Sequence, residues 1–308
     1  MENELIKRNP NYPVENERSS TLPNLFLRSA LFGISRKGKM VENKLLIAQG
    51  GHKIYYTGFE LNQSDLDIWI ILKKKCLLSE MQPALLKATD ILNELGLSDG
   101  SSDKKWLKKK INRIADAKIT LSFNDDRDGL KLELLVKLAW HNNTFRVELD
   151  DNLSKLFNDY TYIDILTRRK LKKDLTKWMY SYLRTNQKVF PTHIETYQKM
   201  CGSVSCLKIF KQNFLRTLRD LKEQHHIDDF RINKTLIEIK KSKKLKNTFD
   251  GNKIWAIIRG YNTRFALPDE VLASLTPKEL DWLSEHGGRA RIGMMPEREV
   301  KKILKIKS

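Results

Sequence analysis

The stretch LKEQHHIDDF, Leu221–Phe230, places two histidines and two aspartates within five positions. Imidazole and carboxylate side chains bind transition metals and act as acids and bases in hydrolysis. His225 and His226 are adjacent, however, and no further ligand stands at a spacing that would complete a metal site. The pattern therefore favours a polar turn, because histidine suits a helix C-terminus and Asp228 and Asp229 suit the turn that follows.

Other residues that could carry chemistry give equally little support for an enzyme. Cys201 and Cys206 form a C-x4-C pair with His193 upstream, which is a poor zinc spacing. The chain has no phosphate-binding G-x-x-x-x-G-K-[ST] loop, no G-x-G-x-x-G, no H-E-x-x-H and no G-x-S-x-G. With Cys76, the cysteines are odd in number, and the first residues carry no secretory signal. We expect a cytoplasmic protein that uses no cofactor or metal and is not an enzyme.

The net charge identifies the class of partner. The 308 residues carry a formal charge of +19, which attracts polyanions and raises encounter rates with them. Nucleic acid is the first candidate and an acidic membrane surface is the second. No run of about eighteen apolar residues occurs, so no membrane-spanning segment is expected.

The first half of the chain predicts three helices and then a hairpin. Asn62 caps the first helix, with Asp65 in its first turn. The second helix is PALLKATDILNELG, stopped by Gly96, and the third is DKKWLKKKINRIADA, capped by Ser102. Strands follow at KITLSF, LKLELLVKLAW and TFRVELD, with turns at NDDRDG and HNN. This order is typical of a winged helix.

The same order repeats in the second half. Helices are predicted at TRRKLKKDLTKWMYSYL, PTHIETYQKMCG and CLKIFKQNFLRTLRDLKEQ, and the short turn GSVS joins the last two as a helix-turn-helix. The last helix has a predicted buried seam, formed by Leu207, Phe210, Phe214, Leu218 and Leu221. A wing is predicted from TLIEIKK and KIWAIIR, joined through SKKLKNTFDGN, where Asp250 and Gly251 supply the turn.

The candidate DNA-binding residues lie on the outer faces of two helices and on this wing. Amide and basic side chains on an inserted helix suit base edges, and lysines suit phosphates. The candidates are Ser205, Lys208, Gln212, Arg216 and Arg219 on the last helix, Lys240, Lys241, Lys243, Lys244 and Lys246 on the wing, and Lys105, Lys108, Lys109 and Asn112 on the third helix of the first half.

The predicted fold class is α+β, with two tandem winged-helix domains and a short, mostly helical C-terminal extension. The predicted divisions are a flexible arm at 1–20, an N-terminal winged-helix domain at 21–150, a C-terminal winged-helix DNA-binding domain at 151–262 and a basic extension at 263–308.

Three stretches carry a resemblance to a known family. LPNLFLRSALFGISRKGK and IYYTGFELNQSDLDIWIILKKK, followed by LLKATDILNELGL, resemble the TrfA-like replication initiators of broad-host-range plasmids. The LRSALFG and G-x-x-L-x-Q-x-D patterns are its most specific parts, and the match in order runs from about Leu22 to about Gly260. The segment from Tyr261 onward has no counterpart in it.

The resemblance implies two winged helices that bind direct repeats, called iterons, in double-stranded DNA at a plasmid origin. It further implies origin opening, recruitment of the host initiator DnaA and the replicative helicase, monomers that bind, and homodimers that restrain copy number.

Three other functions stay open from the residues alone. A winged-helix transcriptional repressor is the runner-up, although two different winged helices in one chain favour a directly repeated site over a palindrome. A DNA-nicking enzyme would need two histidines separated by one apolar residue near a tyrosine, whereas Tyr197 is predicted to be core. A structural or membrane-surface protein is less favoured because the basic residues fall at winged-helix positions.

Overall fold

A computed structural model of the chain describes residues 12–13, 19–35, 38–49, 52–79, 83–123, 128–186 and 188–242, with ten further residues between 254 and 300. Residues 1–244 form one compact unit and residues 245–308 form a second. The described part is mixed α+β, and the helices and strands named below all belong to the first unit.

The helices of the first unit include four longer ones and several short ones. Their bounds are α1 Asn24–Leu27, α2 Gln63–Leu78, α3 Ala88–Leu95, α4 Ser101–Ala115, α5 Ile165–Lys170, α6 Asp174–Thr185, α7 Ile194–Met200 and α8 Leu207–Glu223, with a 3-10 helix over Asp151–Asn158. Among the residues that the structure describes, none of the helices combines the length and the apolar character that crossing a membrane requires.

The strands form small sheets. Their bounds are β1 Ser19–Pro23, β2 Phe32–Gly33, β3 Met40–Leu46, β4 Lys53–Phe59, β5 Leu61–Asn62, β6 Ala84–Lys87, β7 Lys118–Phe123, β8 Asp128–Glu133, β9 Lys137–His141, β10 Thr144–Glu148, β11 Tyr160–Asp164, β12 Thr192–His193, β13 Ile227–Asn233 and β14 Leu236–Lys241. The sheet orders are β3-β4-β7-β8, β6-β10-β9, β12-β14-β13, β1-β11 and β2-β5.

Two parts of the unit share one topology. The first module consists of α2, β6, α3, α4 and the hairpin β9–β10; the second module consists of α6, β12, α7, α8 and the hairpin β13–β14. In each module the strand after the first helix pairs antiparallel with the last strand, so both sheets have the order first, last, middle. The strands β7 and β8 are inserted between α4 and the hairpin of the first module, and they extend a separate sheet with β3 and β4.

Local sequence signals explain where the helices of the first module begin and end. The Asn62 side chain accepts hydrogen bonds from the backbone of Ser64 and Asp65, and the Asp65 carboxylate accepts one from Asn62, so the predicted cap is confirmed as a capping box. Gly96 ends α3 with a φ of 71°, which glycine adopts without steric cost. The α3 helix starts at Ala88, because Ala84–Lys87 pair with β10 instead of continuing the predicted helix.

The run LKLELLVKLAW was predicted as one strand, but the structure divides it between two sheets. Its first part lies in β8 and pairs with β7, while its last part lies in β9 and pairs with β10. Leu134 and Leu135 lie between them and are fully buried. These two leucines pack into the core at the point where the chain leaves one sheet and enters the other.

The predicted position of the wing in the second half is wrong. The hairpin is formed by β13 and β14 with its turn at Lys234, which has a φ of 55°. Thus TLIEIKK provides the second strand of the hairpin, whereas the sequence had predicted the first. Ile254, Trp255, Ile257 and Ile258, which belong to the predicted strand KIWAIIR, are helical. The proposed turn at Asp250 and Gly251 lies outside the described residues.

The N-terminal segment packs against the second half of the unit. Ser19–Pro23 pairs antiparallel with Tyr160–Asp164, so strand structure begins within the segment predicted as a flexible arm. Tyr12 is buried, with its ring centroid 5.0 Å from that of Phe157. The rest of the predicted arm before Ser19, apart from Pro13, lies outside the described residues.

Candidate nucleic-acid interface

The helices α7 and α8 and the turn between them form a helix-turn-helix. Gly202 in the turn has a φ of 67°, and the backbone N–H of Ser203 donates to the carbonyl of Gln198. The turn is anchored from behind by the segment around Gly33, where an added Cβ would meet the Cys201 carbonyl at 3.2 Å. The N–H of Ile34 donates to that same carbonyl at 3.0 Å. This backbone contact holds the turn in place and leaves the far side of α8 free.

The two faces of α8 differ sharply in chemistry. Phe210, Phe214, Leu218 and Leu221 are buried, which confirms four members of the predicted seam, whereas the fifth, Leu207, is 38% exposed. Phe214 stacks on Tyr197 with the ring centroids 4.9 Å apart, and Tyr197 in turn contacts Tyr182. The predicted base- and phosphate-contacting side chains are exposed on the opposite face: Lys208, Gln212, Arg216 and Arg219.

Ser205 was predicted on the helix but lies in the turn before it. Its carbonyl accepts a hydrogen bond from the Gln198 side chain at 2.6 Å, and its hydroxyl is 3.0 Å from that of Ser203. These bonds tie Ser205 to α7 and to the turn. Ser205 therefore helps to fix the start of α8.

The lysines predicted for the wing divide into three groups. Lys240 is exposed on β14, as expected for a DNA contact. Lys241 is buried, and its ammonium donates to the carbonyl of Asn186, whereas the sequence had predicted an exposed side chain. Lys243, Lys244 and Lys246 lie outside the described residues.

The hairpin exposes two cations that the sequence interpretation missed. Arg231 is exposed on β13, and Lys234 is exposed at the tip of the turn. The ammonium of Lys211, on α8, donates to the Lys234 carbonyl at 3.3 Å and connects the helix to the tip. The pattern FRINKTLIEI contained the necessary signal, because Asn233 and Thr235 flank Lys234 between two β-rich runs.

The outer face of α4 is basic. Lys105 and Lys109 are exposed, whereas Asn112 is half-buried. The ammonium of Lys108 lies 4.3 Å from the ring centroid of Trp140, on the hairpin strand β9. Such a cation–π contact holds the hairpin beside the helix. Of the four predicted side chains on α4, two are therefore exposed.

A buried ion cluster joins α4 to α2. The Asp65 carboxylate lies 3.0 Å from the ammonium of Lys110 and 3.1 Å from the guanidinium of Arg113. Lys110 also donates to the side chains of Asn62 and Ser64. Burial lowers the pKa of Lys110 from its ordinary value, and the nearby Asp65 carboxylate acts in the opposite direction. The capping box that begins α2 thus also fixes the orientation of α4.

Arg168 forms a second buried cluster, between the two modules. Its guanidinium donates to the Asp67 carboxylate at 2.6 Å, to the Gln63 side chain at 2.7 Å and to the Ser181 hydroxyl at 2.7 Å. Two longer bonds to the backbone carbonyls of Gln63 and Lys177 use its remaining donors. All five N–H groups of the guanidinium are therefore satisfied, and α2 of the first module is tied to α6 of the second.

The stretch that raised the metal question lies between α8 and β13. His225 has a φ of 59° in the turn after α8, and Asp229 lies in β13 with its carboxylate 2.7 Å from the ammonium of Lys222. The hydrogen bond from Lys222 lowers the pKa of Asp229. Among the described residues, no group of three or more histidine, cysteine or acidic side chains could hold a metal ion. Asp229 is used as an ion-pair partner on the surface.

Together, these features are those of the helix-turn-helix class of DNA-binding proteins. A helix-turn-helix whose second helix presents amide and guanidinium groups, next to a hairpin with a basic tip, is the arrangement with which DNA-binding proteins enter the major groove. Tyr197, which was considered as the nucleophile of a nicking enzyme, is buried in the aromatic core, as predicted.

The chain belongs to the TrfA family: the family model described as TrfA protein matches residues 12–241. Proteins of this family are plasmid replication initiators that bind DNA and are not enzymes. No curated protein matches the chain. A crystal structure of domains 2–3 of RctB is similar in fold, with a TM-score of 0.50 and 14% identity over 72% of this chain and 98% of that one. Crystals of selenomethionine derivatives of the same domains give a TM-score of 0.49 at 15% identity, over 71% and 98%.

Proposed function

We propose that this protein initiates plasmid replication by binding directly repeated origin sites, or iterons, through two winged helices. We place the two winged-helix domains at about residues 21–150 and 151–262. The last strand of the second one, β14, ends at Lys241. The observation that carries the proposal is the recurrence of one topology. Each module presents the second helix of a helix pair, with cations on its open face, next to a hairpin.

Two different winged helices in one chain favour a directly repeated site. A palindrome is read by identical motifs related by a two-fold axis. The open face of α4 carries Lys105 and Lys109, whereas that of α8 carries an amide and guanidinium groups, so each is suited to a different part of an asymmetric site. A transcriptional repressor of a symmetric operator is the less favoured alternative for that reason.

The roles of the side chains follow from their chemistry. The Gln212 amide can donate and accept in the same plane, which suits adenine in the major groove. Lys208 lies one turn earlier on α8 and suits guanine. Arg216 and Arg219 lie later on the helix, where the backbone is nearer, and Lys234 at the hairpin tip suits a phosphate.

Events after binding rest on membership of the family. We include in the proposal the opening of the origin, the recruitment of host DnaA and the replicative helicase, and homodimers that restrain copy number. Their setting is the cytoplasm. We include in the proposal a contact of the basic extension at 263–308 with DNA or with a protein partner.

The test is a footprint on the origin of the plasmid that carries the gene, with purified full-length protein. We expect protection at direct repeats, with a period close to a whole number of helical turns. Gel shifts with Gln212→Ala and with Lys109→Ala should show weaker binding to the same repeats. Protection of a single palindrome in the promoter of the gene would support the repressor instead.

A further inference from the structure

The turn before α8 and the first turn of that helix expose apolar side chains on an otherwise polar and basic surface. Val204, in the turn, is 87% exposed, and Ile209, in the first turn of α8, is 51% exposed. Leu207 is also exposed. An isolated surface hydrophobic residue is ordinary, but here three occur within six positions.

Ile209 lies on the face that is proposed to read bases. Gln212 and Asn213 follow it by three and four positions, so all three side chains are neighbours on the helix surface. All three are exposed, and they lie away from the seam of Phe210 and Phe214. The N-terminal residues of a recognition helix are the ones that reach base edges.

The helix α4 provides an internal comparison. Its first turns carry Ser101, Ser102 and Lys105, and none of the exposed large apolar side chains of the described chain lies on it. Exposed apolar groups are thus not a general property of the outward helices in this protein. Of the two outward helices, only α8, whose open face also carries an amide, exposes large apolar side chains.

We infer that Ile209 and Val204 recognise the methyl groups of thymines in the major groove, an inference that rests on the proposed function. The C5 methyl of thymine is the apolar group that the major-groove edges of the bases offer. The surrounding Lys208, Lys211 and Arg216 attract a polyanion, so an apolar partner group at this place must belong to a negatively charged molecule. Both residues are β-branched and stiff, so they lose little side-chain freedom when they pack on a methyl group.

The experiment first identifies the site and then removes single methyl groups. Duplexes selected from a random library by the full-length protein give the bound sequence. Each thymine in it is then replaced in turn by deoxyuridine, which lacks only the methyl group. Affinities are measured by fluorescence anisotropy for the wild type, Ile209→Ala, Val204→Ala and Leu45→Ala. Leu45 is 50% exposed but lies on β3, which makes it a matched control.

We expect deoxyuridine at one or two positions to weaken binding by the wild type about fourfold each, the effect of burying one methyl group. Ile209→Ala should remove the sensitivity at one of these positions and Val204→Ala at another. Leu45→Ala should keep the wild-type pattern. All three substitutions are at exposed sites, so folding is retained.

Other outcomes overturn the inference in distinguishable ways. If Ile209→Ala keeps the full deoxyuridine pattern, the inference fails while sequence-specific binding stands. If the alanine variants leave DNA binding unchanged and weaken self-association, the patch is a protein interface. If selection enriches no sequence, the proposed function fails first and the inference fails with it.

Discussion

The two modules share a topology, but they support their outward helices with different chemistry. Both helices bury apolar residues, but α4 is held in addition by the buried ion cluster of Asp65, Lys110 and Arg113, whereas α8 packs on a stack that includes Tyr197 and Phe214. The open face of α4 carries lysines, and that of α8 adds an amide and apolar groups. The comparison teaches that topology decides which helix faces outward, while the exposed side chains decide what that helix can recognise.

The largest effect is expected in the core of the second module. Phe214→Ala should lower the free energy of unfolding by about 3–5 kcal/mol, because a buried aromatic ring leaves a cavity. Chemical denaturation measures this loss. Asn213→Ala is the neighbouring control on the exposed face, and its effect should stay within about 0.5 kcal/mol. Equal stability of the two variants would mean that α8 is not held by its aromatic seam.

A slightly smaller effect is expected at the junction of the modules. Breaking a buried ion pair costs about 3–5 kcal/mol, and Arg168→Met should fall near the lower end because Asp67 keeps its bond to Lys177. We also expect the single unfolding transition to broaden or divide, since α2 and α6 lose their shared partner. The exposed neighbour Lys170→Met is the control. A sharp, unshifted transition for Arg168→Met would show that other contacts couple the modules.

The division of roles between α4 and α8 can be tested directly on DNA. Gln212→Ala should cost about 1–3 kcal/mol on the selected site and little on a scrambled duplex, because it removes a base contact. Lys105→Ala and Lys109→Ala should weaken both duplexes alike. If Gln212→Ala affected both duplexes equally, α8 would be a phosphate-binding helix like α4, and the contrast between the modules would disappear.

The smallest effect is expected at the hairpin tip of the second module. Lys234→Ala should lower the slope of log affinity against log salt by roughly 0.9, the value for one phosphate contact, on any sequence. Titrations across a salt series measure the slope. The buried Lys241 is unsuitable for this comparison, and Lys240→Ala is the second exposed site to examine. A loss confined to the selected duplex would assign Lys234 to base recognition.

Local signals were enough to predict most of the helices of this fold, but not all of their bounds. The stretch TRRKLKKDLTKWMYSYL, predicted as one helix, is divided between α5 and α6, and α4 begins at Ser101 with Gly100 at its N-cap instead of the predicted Ser102. The cap at Asn62, the stop at Gly96 and the seam around Phe214 depend on residues within a few positions of each other. The hairpin of the second module was misplaced because Asp250–Gly251 is the stronger turn signal by composition. The true turn is formed by Lys234 in a left-handed conformation that lysine rarely adopts.

Long-range contacts could not be predicted in the same way. Arg168 is one of three consecutive basic residues in the sequence, and only the fold buries it beside Gln63 and Asp67. The family patterns have a structural explanation of the same kind. In G-x-x-L-x-Q-x-D, Gln63 meets Arg168 and Asp65 meets α4, while Gly33 of LRSALFG lies against the turn before α8. The most recognisable residues thus hold the framework together, and those proposed to read DNA are different ones.

The Arg168 cluster has a consequence for the length of DNA between two contacts. If it fixes the angle between the outward helices, the protein acts as a ruler, and its two subsites must keep one rotational phase. Each inserted base pair turns one subsite by about 34°, since B-DNA repeats every 10–10.5 base pairs. An insertion of about five base pairs would place the second groove on the far side of the duplex, and one of about ten would restore the phase. Loosening the cluster would make the protein tolerant of spacing, so the fidelity of origin choice would depend on an arginine that is buried inside the protein.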